Sequence, residues 1–326
     1  MHDIIQRRNF CAICNNKAIE TIIELGNSPV TNKFLNDVDD TYGLFPLNLQ
    51  FCKKCNNLQL EHCINDDFLY DDSYAYFTPV SKSLKKHYTE CLREFSDLGI
   101  IGDGCKIVEI GSNNGEFLKN FRGITSSILG IDPAKDATVR ANMAGVPTVV
   151  DFFNSKVADD ILAFHGKANL VVARHMFAHN AEPKNLLAGV DRILAPDGTF
   201  YIENAYAIDT LLSGEFDQVY HEHMYYYGAS SLNELVRLQG FEIYDLFFSN
   251  IHGGTACFLA TRKGIKPISE RVRNTLLNEK KFFSNPRTFV NFRSKSSKIR
   301  KKLEKLCKNA LSNNETLGVY SIPNKF

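Results

Sequence analysis

The stretch FDQVYHEHMYYY, Phe216 to Tyr227, places two histidines, one glutamate and four tyrosines within twelve residues. Titratable groups at that density suit proton transfer, because an imidazole exchanges protons near neutral pH. The block is not the HExxH of a zinc protease helix, since Tyr225 stands where the second metal-binding histidine would be. Metal chemistry is signalled elsewhere. CAIC (Cys11, Cys14) and CKKC (Cys52, Cys55) are two CxxC knuckles separated by 37 residues, and each turns tightly enough to aim two thiolates at one ion. Together they complete the tetrahedral four-cysteine set of a structural zinc site. Such a site is closed, so the zinc is expected to hold the fold and leave catalysis to other groups. A redox CxxC and plain buried thiols are the alternatives; two matched knuckles without a thioredoxin-like pattern favour the metal. His62 and Cys63 are read as bystanders.

A second set of residues has the spacing of a nucleotide site. KIVEIGSNNGEFLKNF reads as a short apolar strand ending in Glu109, a glycine loop and a helix, which would put backbone N–H groups and a helix N-terminus beside a ligand. GSNNG is neither GxGxxG nor a P-loop, so a dinucleotide or triphosphate is disfavoured. SSILGIDPA is a second strand that ends at Asp132, about twenty residues on, where an acid can take both hydroxyls of a ribose. VVDFF ends a third strand with Asp151, Phe152 and Phe153, suited to the amino group and ring face of an adenine. ANLVVARHMFAH is a fourth strand leading to His175 and His179, and PDGTFYIENAY a fifth. Glu109 with Gly111, then Asp132, then Asp151 with Phe152 is the spacing of S-adenosylmethionine binding in class I methyltransferases. The plainer reading makes Asp132 a helix cap and the phenylalanines core; four consistent stations favour the cofactor.

The elements that must position these groups follow from composition and periodicity. The 326 residues are enough for two or three domains, 44% are hydrophobic and 23% charged, and no apolar run approaches the roughly 20 residues that span a bilayer. MHDIIQRRNF lacks a signal-peptide pattern, which places the chain in the cytoplasm and its nine cysteines among thiols or ligands. The net charge of +1 is uneven. Residues 35–75 lean acidic, whereas 262–308 are dense in Lys and Arg with only Glu270, Glu279 and Glu304 against them, a pattern read first as a solvated helix face. SKSLKKHYTECLREFSDLG has helical spacing, and Leu232 to Gln239 is a further helix. Strands Phe241 to Phe248 and Thr255 to Arg262 would close a seven-stranded sheet with an antiparallel hairpin. The expected class is therefore α/β, a doubly wound sheet with a small N-terminal zinc-binding domain and a C-terminal helical extension: residues 1–72, 73–263 and 264–326.

The order of CxxC with CxxC, SYAYFTPVSKSL, EIGSNNG, YHEH and IHGGTACF resembles the zinc-containing sugar C-methyltransferases, exemplified by the TDP-sugar 3-C-methyltransferases of deoxysugar pathways. The likeness runs from residue 10 to about residue 320. It implies S-adenosylmethionine and structural Zn2+ as cofactors, a nucleotide-sugar substrate, and His223 as the catalytic base with Glu222 beside it. Tyr220 and His221 fall on substrate-site positions. Tyr74 and Tyr76 match aromatics around cofactor and sugar, and Glu109, Gly111, Asn113, Gly115, Asp132, Asp151, Phe152 and His179 match the cofactor side. The implied reaction removes the acidified C3 proton of a 4-keto sugar, and the resulting enolate attacks the sulfonium methyl. This chain departs from the family at Asn114, where an acid is usual, and at Arg174 and His175, where many members carry an asparagine pair. LGVYSIPNKF resembles only the opening strand of the family's last domain; a truncated member, one half of a split pair whose partner chain supplies the rest, and an enzyme that holds its substrate differently are all open. Rival readings are O-methylation of a surface-polysaccharide sugar, an RNA methyltransferase and a non-catalytic truncated homologue. The acid-flanked zinc segment and the absence of an NPPY-like motif argue against nucleic acid, and intact Glu109, Asp132, Glu222 and His223 argue against decay.

Overall fold

The computed structural model describes residues 4–33, 37, 42–70, 76–78 and 81–318. The first module contains β1 (Ile5–Arg7), β2 (Ile19–Ser28), β3 (Phe45–Cys52), β4 (Leu58–Leu60), β5 (His62–Ile64) and the single turn α1 (Asp66–Leu69). Both cysteine knuckles are built alike. Asn15 N donates to Cys11 O and Asn56 N to Cys52 O, each at 2.9 Å, and both asparagines take the left-handed conformation (φ 56° and 59°), which Asn tolerates better than most residues. The two turns bring Cys11 Sγ to 3.5 Å from Cys55 Sγ and Cys14 Sγ to 3.6 Å from Cys52 Sγ, with all four sulfurs within 4.8 Å of one another. A tetrahedron with Zn–S bonds of about 2.3 Å has edges of about 3.8 Å, so the four thiols fit the ion with little adjustment. Asn57 Nδ2 and Asn16 Nδ2 reach Cys11 Sγ and Cys52 Sγ at 3.8 and 3.7 Å, an outer shell of donors for thiolate charge.

The central part begins with α2 (Lys82–Asp97), capped by Ser81 Oγ accepting from Leu84 N at 3.1 Å. Then follow β6 (Lys106–Ile110), β7 (Ser127–Ile131), α3 (Lys135–Met143), β8 (Thr148–Val149), α4 (Ser155–His165), β9 (Ala168–Arg174), α5 (Pro183–Ile193), β10 (Leu194–Ala205) and α6 (Ala207–Ser213). The expected closing hairpin is present: after β11 (Tyr225–Tyr226) and α7 (Ala229–Arg237) come β12 (Phe241–Ser249) and β13 (Thr255–Arg262). The sheet order is β12-β13-β10-β9-β6-β7-β8, with β8 to β10 parallel and β13 antiparallel to both β10 and β12. Strands β6 (KIVEI) and β9 (ANLVVAR) are buried along most of their length because helices cover both faces of the sheet. The order reverses between them, which opens the crevice at their carboxyl ends.

One expected element is absent. GSNNGEFLKNF does not open an α-helix; only a 3-10 turn forms over Leu118–Phe121. The run lies between Gly115 and Gly123, both at positive φ (73° and 75°), and is too short to repay helix nucleation. Phe117, Leu118 and Phe121 are instead pinned in the core. Gly115 is needed for its backbone: a Cβ there would meet Val146 at 3.0 Å.

Strand β11, from the histidine block, pairs with β4 and completes a sheet ordered β11-β4-β3-β2. The histidine block therefore belongs physically to both modules. The C-terminal helices are α8 (Glu270–Ser284) and α9 (Thr288–Ser312). Buried Glu279 on α8 accepts from Ala229 N (2.6 Å), Ser230 N (2.7 Å) and Tyr206 Oη (2.8 Å), so one carboxylate caps α7 from a neighbouring helix. The start of α9 packs on α6 and β2. Residues 297–309 are exposed on all sides, as the basic run suggested. Most of LGVYSIPNKF (319–326) lies outside the described residues.

Two outcomes follow from these supports. Elemental analysis should find one zinc per chain, and Cys55→Ser should lose it together with the cooperative unfolding of the first module. Glu279→Ala, which strands three donors, should cost about 2–3 kcal/mol in denaturant unfolding, whereas exposed Glu304→Ala should change stability negligibly.

Candidate functional site

A cavity of about 1370 Å3 opens between the carboxyl ends of β6, β7 and β9 and the underside of the zinc module. Single-ligand pockets run to roughly 1000 Å3, so this one has room for two ligands side by side.

One end is built by the loop after β6. Gly111 (φ 70°) turns the chain so that its N–H and that of Ser112 both donate to Ile131 O, at 2.8 and 3.1 Å. A Cβ on Gly111 would lie 2.7 Å from Met176 Cγ, so only glycine leaves this floor open. Asp132, at the end of β7, accepts from Asn113 N at 2.8 Å through Oδ2 and from Ala134 N at 2.9 Å through Oδ1. It is thus a cap and a cavity residue at once. Burial raises its pKa, and the two backbone donors pull against that rise. Asn113 also clamps the overlying strap, taking Thr78 N (2.9 Å) and giving to Tyr76 O (3.1 Å). Asn114, at the family's acid position, reaches Thr78 O at 3.4 Å, so the amide supports the same strap. Tyr76 lines the cavity; Tyr74 lies outside the described residues. Asp151 bonds to the N–H of Phe152 at 2.8 Å, and the Phe152 ring, 42% exposed, faces the cavity across from Tyr70. Gly115 does not line the cavity and acts through its turn alone.

Below this floor Glu109 is 1% exposed. Its Oε1 is 3.4 Å from Arg174 Nη1, and among the described residues its buried Oε2 has no hydrogen-bond partner. Burial raises its pKa to about 8, with Arg174 opposing. An unsatisfied acid beneath a glycine floor fits a cationic ligand such as the sulfonium and amino group of S-adenosylmethionine.

The other end holds the histidine block. His223 Nδ1 lies 3.2 Å from Gln218 O; a carbonyl only accepts, so Nδ1 carries the proton and Nε2 keeps the lone pair. Tyr220 Oη is 2.6 Å from that Nε2 and donates to it. His179 approaches edge-on, with ring centroids 4.8 Å apart, and Tyr70 Oη is 3.1 Å from His179 Nδ1. Glu222, 1% exposed, accepts at Oε1 from Thr31 Oγ1 and from Asn32 Nδ2 (2.7 Å), and its Oε2 stands 3.9 Å from His179 Nδ1. His179, which the resemblance matches to the cofactor side, therefore contacts the proton-handling groups. His221 requires a correction: it is buried against Phe45, with ring centroids 6.1 Å apart, and does not line the cavity. The turn at 220–223, in which His223 N donates to Tyr220 O at 3.0 Å, leaves it facing away from the cavity that Tyr220, Glu222 and His223 line, and burial lowers its pKa.

Several residues of the site carried no motif. Thr31, Asn32 and Tyr70 come from the first module. Glu203, fully buried in β10, accepts from Tyr201 Oη (2.6 Å) and lies 3.0 Å from His87 Nε2 and 3.3 Å from Arg174 Nε. His175 Nε2 is 2.9 Å from its second oxygen, as an ion-pair contact out of line for a hydrogen bond. Burial opposes the Glu203 charge, but Arg174, His175 and His87 outweigh it and hold the acid well below the usual carboxylate range. His87, Cys91 and Glu203 could reach one ion; the Arg174 guanidinium beside Glu203 opposes a second cation there. The available sequence signals were a histidine on the apolar stripe of α2 and a glutamate inside the strand FYIEN.

Residues 81–246 match a family model described as a methyltransferase domain, and residues 11–70 match one described as a zinc binding domain. The chain is 31% identical over 333 residues to the C-methyltransferase NovU of Streptomyces niveus, across 100% of this chain and 78% of that protein. It is also similar to the magnesium protoporphyrin IX methyltransferase ChlM of Synechocystis PCC 6803 (TM-score 0.44, 10% identity, 58% of this chain and 90% of that one). A likeness to the N-methyltransferase NodS of Bradyrhizobium japonicum WM9 has TM-score 0.41 and 13% identity, over 55% of this chain and 96% of that one. With the matched family models, the full-length relative and the four-cysteine cluster in one chain, this protein belongs to the zinc-containing, S-adenosylmethionine-dependent sugar C-methyltransferase family.

Proposed function

We propose that this chain methylates the carbon next to the ketone of a nucleotide-linked 4-keto sugar, with His223 as general base. The observation that carries the reading is a contact: His223 Nδ1 lies 3.2 Å from Gln218 O, which favours the proton on Nδ1 and a lone pair on Nε2 at the cavity wall. S-adenosylmethionine supplies an electrophilic methyl group. Glu109, Asp132, Phe152 and the Gly111 floor are suited to hold that cofactor. His223 Nε2 takes the C3 proton, and the C–H electron pair becomes the enolate. Tyr220, which donates to Nε2 in the ligand-free arrangement, turns its hydroxyl to the ketone oxygen as the sugar enters. That exchange frees the base and places a donor where enolate charge develops. The carbon nucleophile needs no further activation, whereas O-methylation would require a base aimed at a hydroxyl.

The reading has two checks. His223→Asn should reduce turnover of a TDP-4-keto-6-deoxy sugar by 100-fold or more, as expected on removing a general base (roughly 10²–10⁴-fold), while cofactor affinity stays within about 2-fold. Exchange of the C3 proton in deuterated water, followed by NMR, should vanish in the same variant; persistent exchange would move the base elsewhere. The second check concerns Glu109, whose pKa of about 8 leaves it largely protonated at neutral pH. A cation binds the ionised form better, so affinity for S-adenosylmethionine should rise several-fold between pH 6.5 and 8.5 and then level off. Calorimetry in buffers of different ionisation enthalpy should register proton release, and Glu109→Gln should abolish both effects.

A further inference from the structure

Two residues of the zinc module touch the proton-handling cluster although nothing in their sequence context marks them. Thr31 is 6% exposed, and its hydroxyl faces Glu222 Oε1; Asn32 Nδ2 reaches the same oxygen at 2.7 Å. Both residues line the cavity. An amide nitrogen can only donate, and a hydroxyl against a carboxylate donates too, so one carboxylate oxygen receives two hydrogen bonds from a partner about 190 residues away in the chain. Asn32 holds a left-handed backbone (φ 58°), a conformation that Asn adopts more readily than most residues. The bend follows β2, which pairs with the strand that carries Cys52, so the zinc-bound module sets where the two donors lie.

We propose that Thr31 and Asn32 are positioning residues for the methyl transfer: they keep Glu222 ionised and aim its second oxygen at His179, which makes the zinc module a working part of the active site. The proposal rests on the reading of His223 as base. Burial alone would push a carboxyl towards its neutral form, and hydrogen bonds to the charged form reverse that push. Among the described residues, the titratable groups around Glu222 include His179 at 3.9 Å, His223 and Tyr220 next to His179, and Tyr76, whose phenol responds to the Glu222 charge. When His223 receives the substrate proton, the new positive charge lies beside His179 and within the field of this carboxylate. A neutral Glu222 would offer no such counter-charge.

The test uses Thr31→Val, Asn32→Gly, which removes the amide but tolerates the left-handed backbone, and Thr31→Ser as the conservative control. The first two should lower kcat by about 10–100-fold at pH 7, with cofactor affinity within about 2-fold and zinc content unchanged. The acid limb of the kcat profile should move to higher pH by about one unit, because a carboxylate that loses donors is protonated more readily; Thr31→Ser should restore most of the rate. A readout without substrate is 13C NMR titration of glutamate-labelled protein, with Glu222 assigned through Glu222→Gln. Its carboxyl should titrate at higher pH in Thr31→Val and Asn32→Gly than in the parent chain. Unchanged titration, or equal loss of zinc, cofactor binding and rate in Thr31→Val and Thr31→Ser, would overturn the proposal. A shifted titration in a protein that methylates no keto sugar would support the hold on Glu222 and overturn the acceptor assigned above.

Discussion

The site depends on a short piece of backbone pairing. Tyr225 and Tyr226 pair with Gln59 and Leu58 as the edge of the zinc module's sheet, yet they lie on the path between α6 and α7 of the methyltransferase core. Leu60 N to Met224 O and Met224 N to Ala178 O, both 3.0 Å, tie the same residues to both sides. A chain that must cross from one sheet to the other at this point runs along the cavity wall, which is how Tyr220, Glu222 and His223 come to face it. The pairing is short, so its hold comes from burial: all three tyrosines from 225 to 227 are almost fully enclosed. Glu279 then fixes the start of α7 immediately downstream.

A second constraint lies beneath the cofactor end. The carboxylate of Glu203 is buried among one guanidinium, two imidazoles and a phenol, and a buried charge of that kind is tolerable only when its partners are complete. Arg174 is shared between this acid and Glu109, and its guanidinium lies over the rings of Tyr88 and Phe117. It therefore couples α2, the loop after β6 and the end of β9. The same arrangement holds His175 at φ 49° on the cavity wall. Arg174 and His175, two of the positions at which the resemblance marks a departure, are thus part of a packed network and not exchanged side chains on a surface.

The parts legible in the sequence were those set by local pattern. Apolar strand runs such as KIVEI and ANLVVA, the amphipathic spacing of α2 and the paired CxxC knuckles all state their role within a few residues. The closing hairpin was equally plain because strands of Phe241 and Thr255 type are β-rich and bounded by Gly240 and Gly253–Gly254. What the sequence did not show was set by distance. Thr31 and Asn32 reach Glu222 only after the two sheets have joined, and Glu203 meets His87 across 116 positions. The missing helix after GSNNG was a local misreading with a physical source: helical residues were present, but glycines at each end left too few of them to propagate. His221 was misplaced because the resemblance supplied a motif without the turn at 220–223, and that turn decides which residues of the motif reach the cavity.

Glu109 and Glu222 show how one residue type serves opposite ends of the cavity. Both are almost fully buried, so the desolvation penalty acts on each, and neighbours decide the result. Among the described residues Glu109 has one guanidinium contact at 3.4 Å and an oxygen with no partner; burial prevails and raises its pKa. Glu222 has two donors on one oxygen and an imidazole near the other, an arrangement that favours the charge before any ligand enters. The first suits a group whose ionisation accompanies cofactor binding. The second suits a fixed counter-charge beside imidazoles that gain and lose a proton. Exchanging the two environments would leave the cofactor end charged at rest and the histidines without a stable anion, so the placement of Thr31 and Asn32 matters as much to this division of labour as the acids themselves.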